Sequence, residues 1–250
     1  MHRRTKIVAT LGPATDPLPL AETGGAGVDS EKYDYTAMDQ LIDAGVDVVR
    51  VNFSHGTYAD HKRQIESIRS RAWQRGRQVG VLMDLMGPKI RTCKFKNGQV
   101  NLEKDARFTL DTTMGGPDGS IADGTDSAVG ITYKDLPKDV KRGDTLLLND
   151  GMIQLRVEET TTTQIHCKVT QAGVLSNNKG INKLGGGLSA KSLTEKDLKD
   201  IKFAAELEAD YLAISFPRDE HDIHEARKLF QEAGGTGGIV AKIERAEAVA

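Results

Sequence analysis

The sequence predicts an α/β protein in which a parallel sheet is interrupted by a small all-β module. Short β-branched runs alternate with amphipathic helical segments over residues 5–84 and again over residues 194–244. Repeated βα units of this kind imply parallel strands with helices outside them. Residues 91–187 instead carry short β-prone runs separated by Gly, Asp and Pro, with no convincing amphipathic helix, which is typical of an all-β module.

The first 90 residues contain three predicted strands, which are residues 5–11, 46–52 and 79–84. Residues 16–35 are rich in Pro, Gly and polar side chains, a composition that predicts a loop. No physical reason for an insertion of that length is evident in the residues themselves.

Two helices are predicted between these strands. The first should begin with Thr36 as its N-cap and Asp39 three residues later, and should end at Gly45. Thr57 should cap the second helix, which should end at Gly76. Helical spacing predicts that their buried residues are Met38, Leu41, Ile42, Ile65, Ile68, Ala72 and Trp73.

The rest of the chain continues both patterns. The predicted strands of the β module are centred on residues 108–110, 128–131, 145–148, 153–157 and 164–170. After it, Thr194 with Asp197 should open a helix that carries Leu198, Ile201 and Ala205. The last expected elements are strands at residues 211–216 and 239–244, with a helix between them that ends at Gly234.

Polar and charged side chains collect where the predicted parallel strands end. They are Arg50, Asn52, Ser54, Asp84, Ser215, Lys242 and Glu244. A (β/α)₈ barrel places its active site at that face, and a doubly wound open sheet places ligands there too. Five strands are found where such a barrel has eight, and we therefore expect the chain to be only part of a domain.

Composition narrows the possible partners. The chain has 250 residues, with 34 basic and 36 acidic side chains and a formal net charge of −2. This balance gives no reason to expect nucleic acid or an anionic membrane as partner. No apolar run approaches the length of a membrane span, and Cys93 and Cys167 form no CxxC pair. A cytoplasmic protein fits these features best.

Six segments, in order along the chain, resemble the pyruvate kinase family. They are residues 5–14, 50–56, 84–91, 149–151, 178–182 and 241–244, and residues 176–187 are similar to the bacterial branch. The resemblance implies a (β/α)₈ barrel formed by residues 1–90 and 188–250, with an inserted β-barrel lid at residues 91–187. It also implies a further C-terminal domain, and a homotetramer for the full-length protein.

The implied reaction transfers a phosphoryl group from phosphoenolpyruvate to ADP and gives pyruvate and ATP. Arg50 and Arg91 suit the phosphate, because a guanidinium presents a planar, permanently charged fork. Lys242 would stabilise charge on the phosphoryl and enolate oxygens. Glu244 would be a ligand of Mg²⁺. If Glu244 lies on the same strand, two residues after Lys242, both side chains project to the same side.

The resemblance further implies a monovalent-cation site made by Asn52, Ser54 and Asp84. Family members that require K⁺ generally have Thr after that aspartate and Glu at the position of Lys89, whereas this chain has Leu85 and Lys89. A tethered ammonium could supply the charge of the ion. We therefore predict that K⁺ is not required.

The resemblance gives roles to four other residues. His55 would help to hold nucleotide, and Ser215 would lie on the substrate side. Asp150 and Lys179 would approach the phosphates and the metal when the lid closes.

Two alternatives stay open from the residues alone. A different barrel enzyme that uses Mg²⁺ on an enolate, such as an aldolase or lyase, would need similar Arg and Glu residues at strand ends. The 250-residue chain could also be a catalytically inactive fragment, because five strands do not complete a barrel site.

Overall fold

The computed structural model describes residues 4–16, 18–19, 33–116 and 121–249. It divides into two compact units. The first comprises Met1–Gly87 and Ser192–Glu244, and the second comprises Pro88–Lys191 and Arg245–Ala250. In the ranges given above, no helix has both the length and the apolar character needed to cross a membrane.

The elements are numbered here in chain order. The strands are β1 (Val8–Thr10), β2 (Leu18–Pro19), β3 (Tyr33–Asp34), β4 (Val48–Asn52), β5 (Gly80–Asp84), β6 (Gln99–Leu102), β7 (Arg107–Asp111), β8 (Ala128–Gly130), β9 (Thr145–Leu148), β10 (Ile153–Thr160), β11 (Gln164–Gln171), β12 (Gly173–Ser176), β13 (Ile181–Lys183), β14 (Tyr211–Ile214) and β15 (Gly238–Ala241). The helices are α1 (Thr36–Asp43), α2 (Tyr58–Gln74), α3 (Leu136–Asp139), α4 (Glu195–Glu206) and α5 (Glu220–Glu232).

The first unit is built on a parallel sheet with the strand order β1-β4-β5-β14-β15. Every neighbouring pair in this sheet is parallel, so the predicted α/β organisation is confirmed. The apolar faces of four helices cover the sheet, and the largest buried side chains of the unit include Met38, Ile65, Met83 and Phe230. Because these strands all run in the same direction, their carboxyl ends lie along one edge of the sheet. The residues at those ends therefore come close together.

Helix caps were predicted well at two positions and wrongly at one. Thr57 and Thr194 both form capping boxes, with Asp60 and Asp197 as their partners. Thr36 is the first helical residue of α1, and the N-cap is Tyr35, which makes no side-chain capping bond. The Thr36 N–H instead donates to Asp34 Oδ1 at 2.8 Å.

One prediction about burial was also wrong. Trp73 is 84% exposed, because the buried stripe of α2 runs through Ile65, Ile68 and Ala72 and leaves the next residue on the adjacent face. Leu198 is exposed as well, whereas Ile201 and Ala205 of the same helix are buried.

The predicted loop at residues 16–35 is only partly testable. Its ends pair as the short antiparallel strands β2 and β3, so the loop prediction is wrong there. Residues 17 and 20–32 lie outside the described residues.

The second unit is predominantly β. Its six-stranded sheet has the order β13-β9-β10-β11-β7-β8, and β12 pairs with β6 in a second, two-stranded sheet. All pairs are antiparallel except β7 with β8. Sequence patterns missed β6, β12 and β13, which are short and have little alternation. The one helical turn α3, with Pro137 near its start, is too short to be an amphipathic helix, so it does not contradict the expected pattern.

A buried ion pair supports the start of α5. The Arg218 guanidinium donates from Nη2 to Asp222 Oδ1 at 2.7 Å and from Nε to Oδ2 at 3.0 Å. Burial alone would raise the pKa of Asp222, but the hydrogen bonds from Arg218 outweigh it, and the pKa lies below its ordinary value. The folded state therefore prefers the ionised carboxylate.

We predict that Asp222→Asn lowers the free energy of unfolding by about 2 kcal/mol at pH 7, the range for hydrogen bonds to charged groups. A depressed folded-state pKa stabilises above the unfolded pKa of about 4, and the effect is lost as pH falls through the folded value. Urea unfolding at pH 7 and at about pH 2.5 should show the difference from wild type shrinking in acid. A constant difference would contradict this, and Glu232→Gln on the exposed end of α5 is the control.

Candidate active site

The centre of the site is the carboxylate of Asp84, the last residue of β5, whose residue exposure is 1%. Arg50 on the neighbouring strand β4 donates from Nε to Asp84 Oδ2 at 2.7 Å, and its Nη2 lies 2.6 Å from the same oxygen. Its Nη1 donates to Thr10 Oγ1 on β1 at 3.1 Å. Three adjacent parallel strands therefore fix one guanidinium.

Lys242, the residue after β15, reaches the same carboxylate from the opposite direction along the sheet to Arg50. Its Nζ lies 3.3 Å from Asp84 Oδ1 and donates to Ser215 Oγ at 2.7 Å. The Ser215 hydroxyl in turn donates to the Leu85 carbonyl at 2.6 Å. Ser215 is buried, so in this structure its hydroxyl serves to hold the lysine.

Glu244 lies next to Lys242, with its Oε1 3.6 Å from Lys242 Nζ. Its Oε2 accepts a hydrogen bond from the backbone N–H of Phe216 at 3.1 Å. The strand predicted at residues 239–244 ends at Ala241, so that part of the prediction was wrong. Lys242 and Glu244 still meet, because the chain after the strand keeps both side chains near Ser215 and Phe216.

The segment after β4 contributes Asn52, Ser54 and His55. Asn52 Oδ1 accepts the Ser54 N–H at 3.0 Å, which makes a tight turn directly after the strand. The His55 N–H donates to the Asn52 carbonyl at 3.2 Å, and the His55 side chain is exposed. Asn52 is the strand partner of Asp84, so the two residues lie side by side at the sheet edge.

The remaining predicted site residues belong to the second unit, where three of them lie in one region. Arg91 forms an antiparallel bridge with Gly180, directly after Lys179. The N–H of Asn149 donates to the Gly180 carbonyl at 3.1 Å. Asn149 and Asp150 both adopt positive φ, of 50° and 56°, a conformation that Asn and Asp tolerate better than most residues.

Lys89 also lies in the second unit. Its backbone carbonyl accepts a hydrogen bond from Thr132 Oγ1 at 2.5 Å. That contact is made by the main chain and does not bear on the Lys89 ammonium, so its role in a cation site stays a prediction.

Among residues 4–16, 33–116 and 121–249, no group of three or more His, Cys, Asp or Glu side chains could hold a metal by itself. Glu244 fits a Mg²⁺ site as a single hard ligand, because this metal often takes one or two protein carboxylates and completes its shell with water and substrate oxygens. Asp84 fits less well, since both of its oxygens already have cationic partners.

Sequence reasoning missed three contributors to the site. Thr10 orients Arg50, Leu85 accepts the Ser215 hydroxyl, and Phe216 donates its backbone N–H to Glu244. Thr10 could have been found from its place at the end of a predicted strand. The other two act through main-chain atoms, for which the sequence has no side-chain signal.

The fold and the site together define an α/β protein with a charged ligand site at the carboxyl ends of a parallel sheet, the position at which such sheets bind ligands. The family model "Pyruvate kinase, barrel domain" matches residues 2–250. The chain therefore belongs to the pyruvate kinase family.

Individual relatives agree with this assignment. The chain is 50% identical over 247 residues to "Pyruvate kinase II" of Salmonella typhimurium, covering 99% of the chain and 47% of the relative. It is 49% identical over 248 residues to a pyruvate kinase of Haemophilus influenzae, with coverage of 99% and 47%. A pyruvate kinase of Corynebacterium efficiens is 38% identical over 252 residues, with coverage of 100% and 48%. The chain spans about half the length of these relatives.

Proposed function

We propose that the protein transfers the phosphoryl group of phosphoenolpyruvate to ADP and releases pyruvate and ATP. The observation that carries this proposal is the arrangement of Arg50 and Lys242 on the two oxygens of one buried carboxylate, Asp84. Phosphoryl transfer depends mainly on positioning and on neutralising charge. Two cations held in place before the substrate arrives need little reorganisation during the reaction.

Each cation has a role that follows from its chemistry. The Arg50 side chain is 30% exposed, so it can bind phosphate oxygens while Asp84 and Thr10 keep its plane fixed. Lys242, with 29% of its side chain exposed, would stabilise the enolate oxygen that forms as the phosphoryl group leaves. Asp84 keeps both groups in place through these contacts.

Glu244 would hold the Mg²⁺ that this family implies, and the ion, when bound, neutralises phosphate charge. The Glu244 carboxylate lies beside Lys242. The proposed metal ligand and the lysine that would stabilise the enolate oxygen are therefore at the same end of the sheet. Asn52, Ser54 and His55 would line the neighbouring edge, with His55 toward the nucleotide.

We further propose a (β/α)₈ barrel for the full-length protein, with residues 91–187 as an inserted β-barrel lid between residues 1–90 and 188–250. Arg91, Asp150 and Lys179, which the second unit brings to one region, would then act on the phosphates from the lid. A homotetrameric enzyme in the cytoplasm, with no nucleic-acid or membrane partner, completes the proposal.

The test is pyruvate formation from phosphoenolpyruvate, ADP and Mg²⁺, measured on the full-length protein and on the 250-residue chain. Turnover by the full-length protein supports the proposal, and its absence under all Mg²⁺ concentrations contradicts it. Turnover by the full-length protein alone would mean that the 250 residues hold substrate-binding parts without a finished site. Release of pyruvate from an aldol substrate would instead favour the lyase alternative.

We predict that the same assay shows little dependence on K⁺. Both oxygens of Asp84 are already neutralised by Arg50 and Lys242, and Lys89 replaces the glutamate found in family members that require the ion. The measurement is the pyruvate formation rate in K⁺ and in a tetramethylammonium salt at equal ionic strength. A several-fold stimulation by K⁺ would contradict the prediction, and Lys89→Glu, which restores the glutamate, is expected to create that stimulation.

A further inference from the structure

Phe216, two residues after the end of β14, has an unusual backbone conformation. Its φ is +54°, in the left-handed region, where a bulky aromatic residue is an outlier. Among the described residues, four other non-glycine residues with positive φ are Asp or Asn, namely Asp105, Asn149, Asp150 and Asn178, and the fifth, Glu208, directly follows the C-cap of α4. Those two settings are ordinary ones for this conformation. Phe216 has neither explanation.

The consequence of this conformation is the direction of the Phe216 amide. Its N–H donates to Glu244 Oε2 at 3.1 Å, while Glu244 Oε1 lies 3.6 Å from Lys242 Nζ. The carboxylate is therefore held at both oxygens, one by a fixed backbone donor and one by a side-chain cation. A backbone donor cannot move away as a long side chain can, so it sets the plane of the carboxylate.

Gly87 lies against this turn, and a side chain there would be crowded. A Cβ at Gly87 would lie 3.0 Å from Ser215 Cβ, 3.1 Å from the Ser215 carbonyl oxygen and 3.3 Å from Phe216 Cδ2. Gly87 itself has a φ of +63°, which glycine adopts without steric cost. The close approach of two main-chain segments thus depends on glycine at this position.

Gly87 is in turn fixed by a buried carboxylate. Its N–H donates to Asp197 Oδ1 at 3.1 Å, and Asp197 is fully buried. The other oxygen, Oδ2, accepts from the N–H and Oγ1 of Thr194 in the capping box of α4. A chain of contacts therefore runs from the start of α4 through Gly87 and Phe216 to Glu244, entirely within the first unit.

We propose that Phe216 is a positioning residue, whose strained backbone, held by Gly87 on Asp197, orients the Glu244 carboxylate for a divalent cation. The inference rests on the proposed function in its assignment of Glu244 as metal ligand. It adds a second layer to that site, in which the metal ligand is oriented by a main-chain amide and not by another side chain. Partners of this kind commonly change metal affinity by about 10- to 100-fold.

The test uses Mn²⁺ as a spectroscopic substitute for Mg²⁺, with free Mn²⁺ measured by electron paramagnetic resonance during titration of the full-length protein. Gly87→Ala is expected to weaken Mn²⁺ binding about tenfold, because the new Cβ displaces Ser215 and Phe216. Gly76→Ala is the matched control, since Gly76 has φ +61° but nothing within 4 Å of its Cβ position. It carries the same backbone strain and should bind Mn²⁺ as wild type does.

Phe216→Gly tests the orienting role of the Phe216 amide without introducing a steric clash. It keeps the N–H but relieves the strain, and a glycine there samples many conformations. We expect weaker Mn²⁺ binding in protein that is still folded at the assay temperature, a loss of affinity that a purely structural role would not give. Wild-type Mn²⁺ affinity in a folded Phe216→Gly variant would overturn the inference. Glu244→Gln separates the two claims, that Glu244 binds the metal and that Phe216 orients it. Unchanged Mn²⁺ affinity in Glu244→Gln would overturn both. If Mn²⁺ affinity falls in Glu244→Gln but not in Phe216→Gly, Glu244 remains the ligand and the role of Phe216 is overturned.

Discussion

Replacing Lys242 with methionine should lower kcat for pyruvate formation by about 10²- to 10³-fold, the usual effect of removing one preorganised donor to a developing oxyanion. Methionine keeps much of the length of the side chain and removes the charge. The Lys242 ammonium contacts Ser215, Asp84 and Glu244 in the structure, so it is fixed before any substrate arrives. That preorganisation is why its loss should reduce kcat more than it raises KM.

Stability should change little in this variant, because Arg50 still neutralises Asp84 from 2.6 Å. Urea unfolding of Lys242→Met alongside the kinetic assay therefore separates a chemical effect from a folding defect. Lys228→Met is the matched control, since Lys228 is exposed on α5 and its ion pair with Glu232 spans 3.8 Å. A Lys242→Met enzyme with kcat within a few-fold of wild type would remove Lys242 from the mechanism.

The sequence was sufficient where local chemistry decides the structure. Thr57 and Thr194 were predicted as caps because a threonine followed three residues later by aspartate satisfies two backbone donors at once. The same pattern at Thr36 failed, because a second acidic side chain two residues earlier, Asp34, competes for the helix start. Trp73 failed for a different reason, since periodicity cannot tell which edge of an apolar stripe meets the sheet.

For the site, the sequence predicted which residues gather but not how they bond. Arg50 and Asp84 lie at or near the carboxyl ends of parallel strands, and Lys242 and Glu244 follow a third. The carboxyl ends of parallel strands meet at one edge of the sheet. The sharing of one carboxylate by both cations depends on the strand register, which places Asn52 opposite Asp84. No residue pattern in the sequence records that register. The hydrogen bond from the Phe216 N–H to Glu244 could not be predicted either, because the direction of that N–H follows from a backbone angle and not from a residue type.

Removal of the Asp84 charge is the prediction with the largest expected effect on folding. Asp84→Asn should lower the free energy of unfolding by about 3 kcal/mol, because losing one partner of a buried ion pair leaves the other charges uncompensated. Here two cations, Arg50 and Lys242, would face each other across a neutral amide. The value is placed at the low end of the range because both cations keep some contact with water and the amide oxygen can still accept one hydrogen bond.

The measurement is the urea midpoint at constant m-value, which reports stability and not a change in the unfolded state. Asp105→Asn is the matched control, since Asp105 forms an exposed pair with Lys168, and surface pairs contribute little. A small loss at Asp84, similar to that at Asp105, would contradict a buried charge centre. If stability falls but kcat in the folded fraction does not, Asp84 holds the sheet edge together without orienting the cations. If Arg50 and Lys242 share the Asp84 carboxylate as described, Asp84→Asn should lower both the stability and kcat.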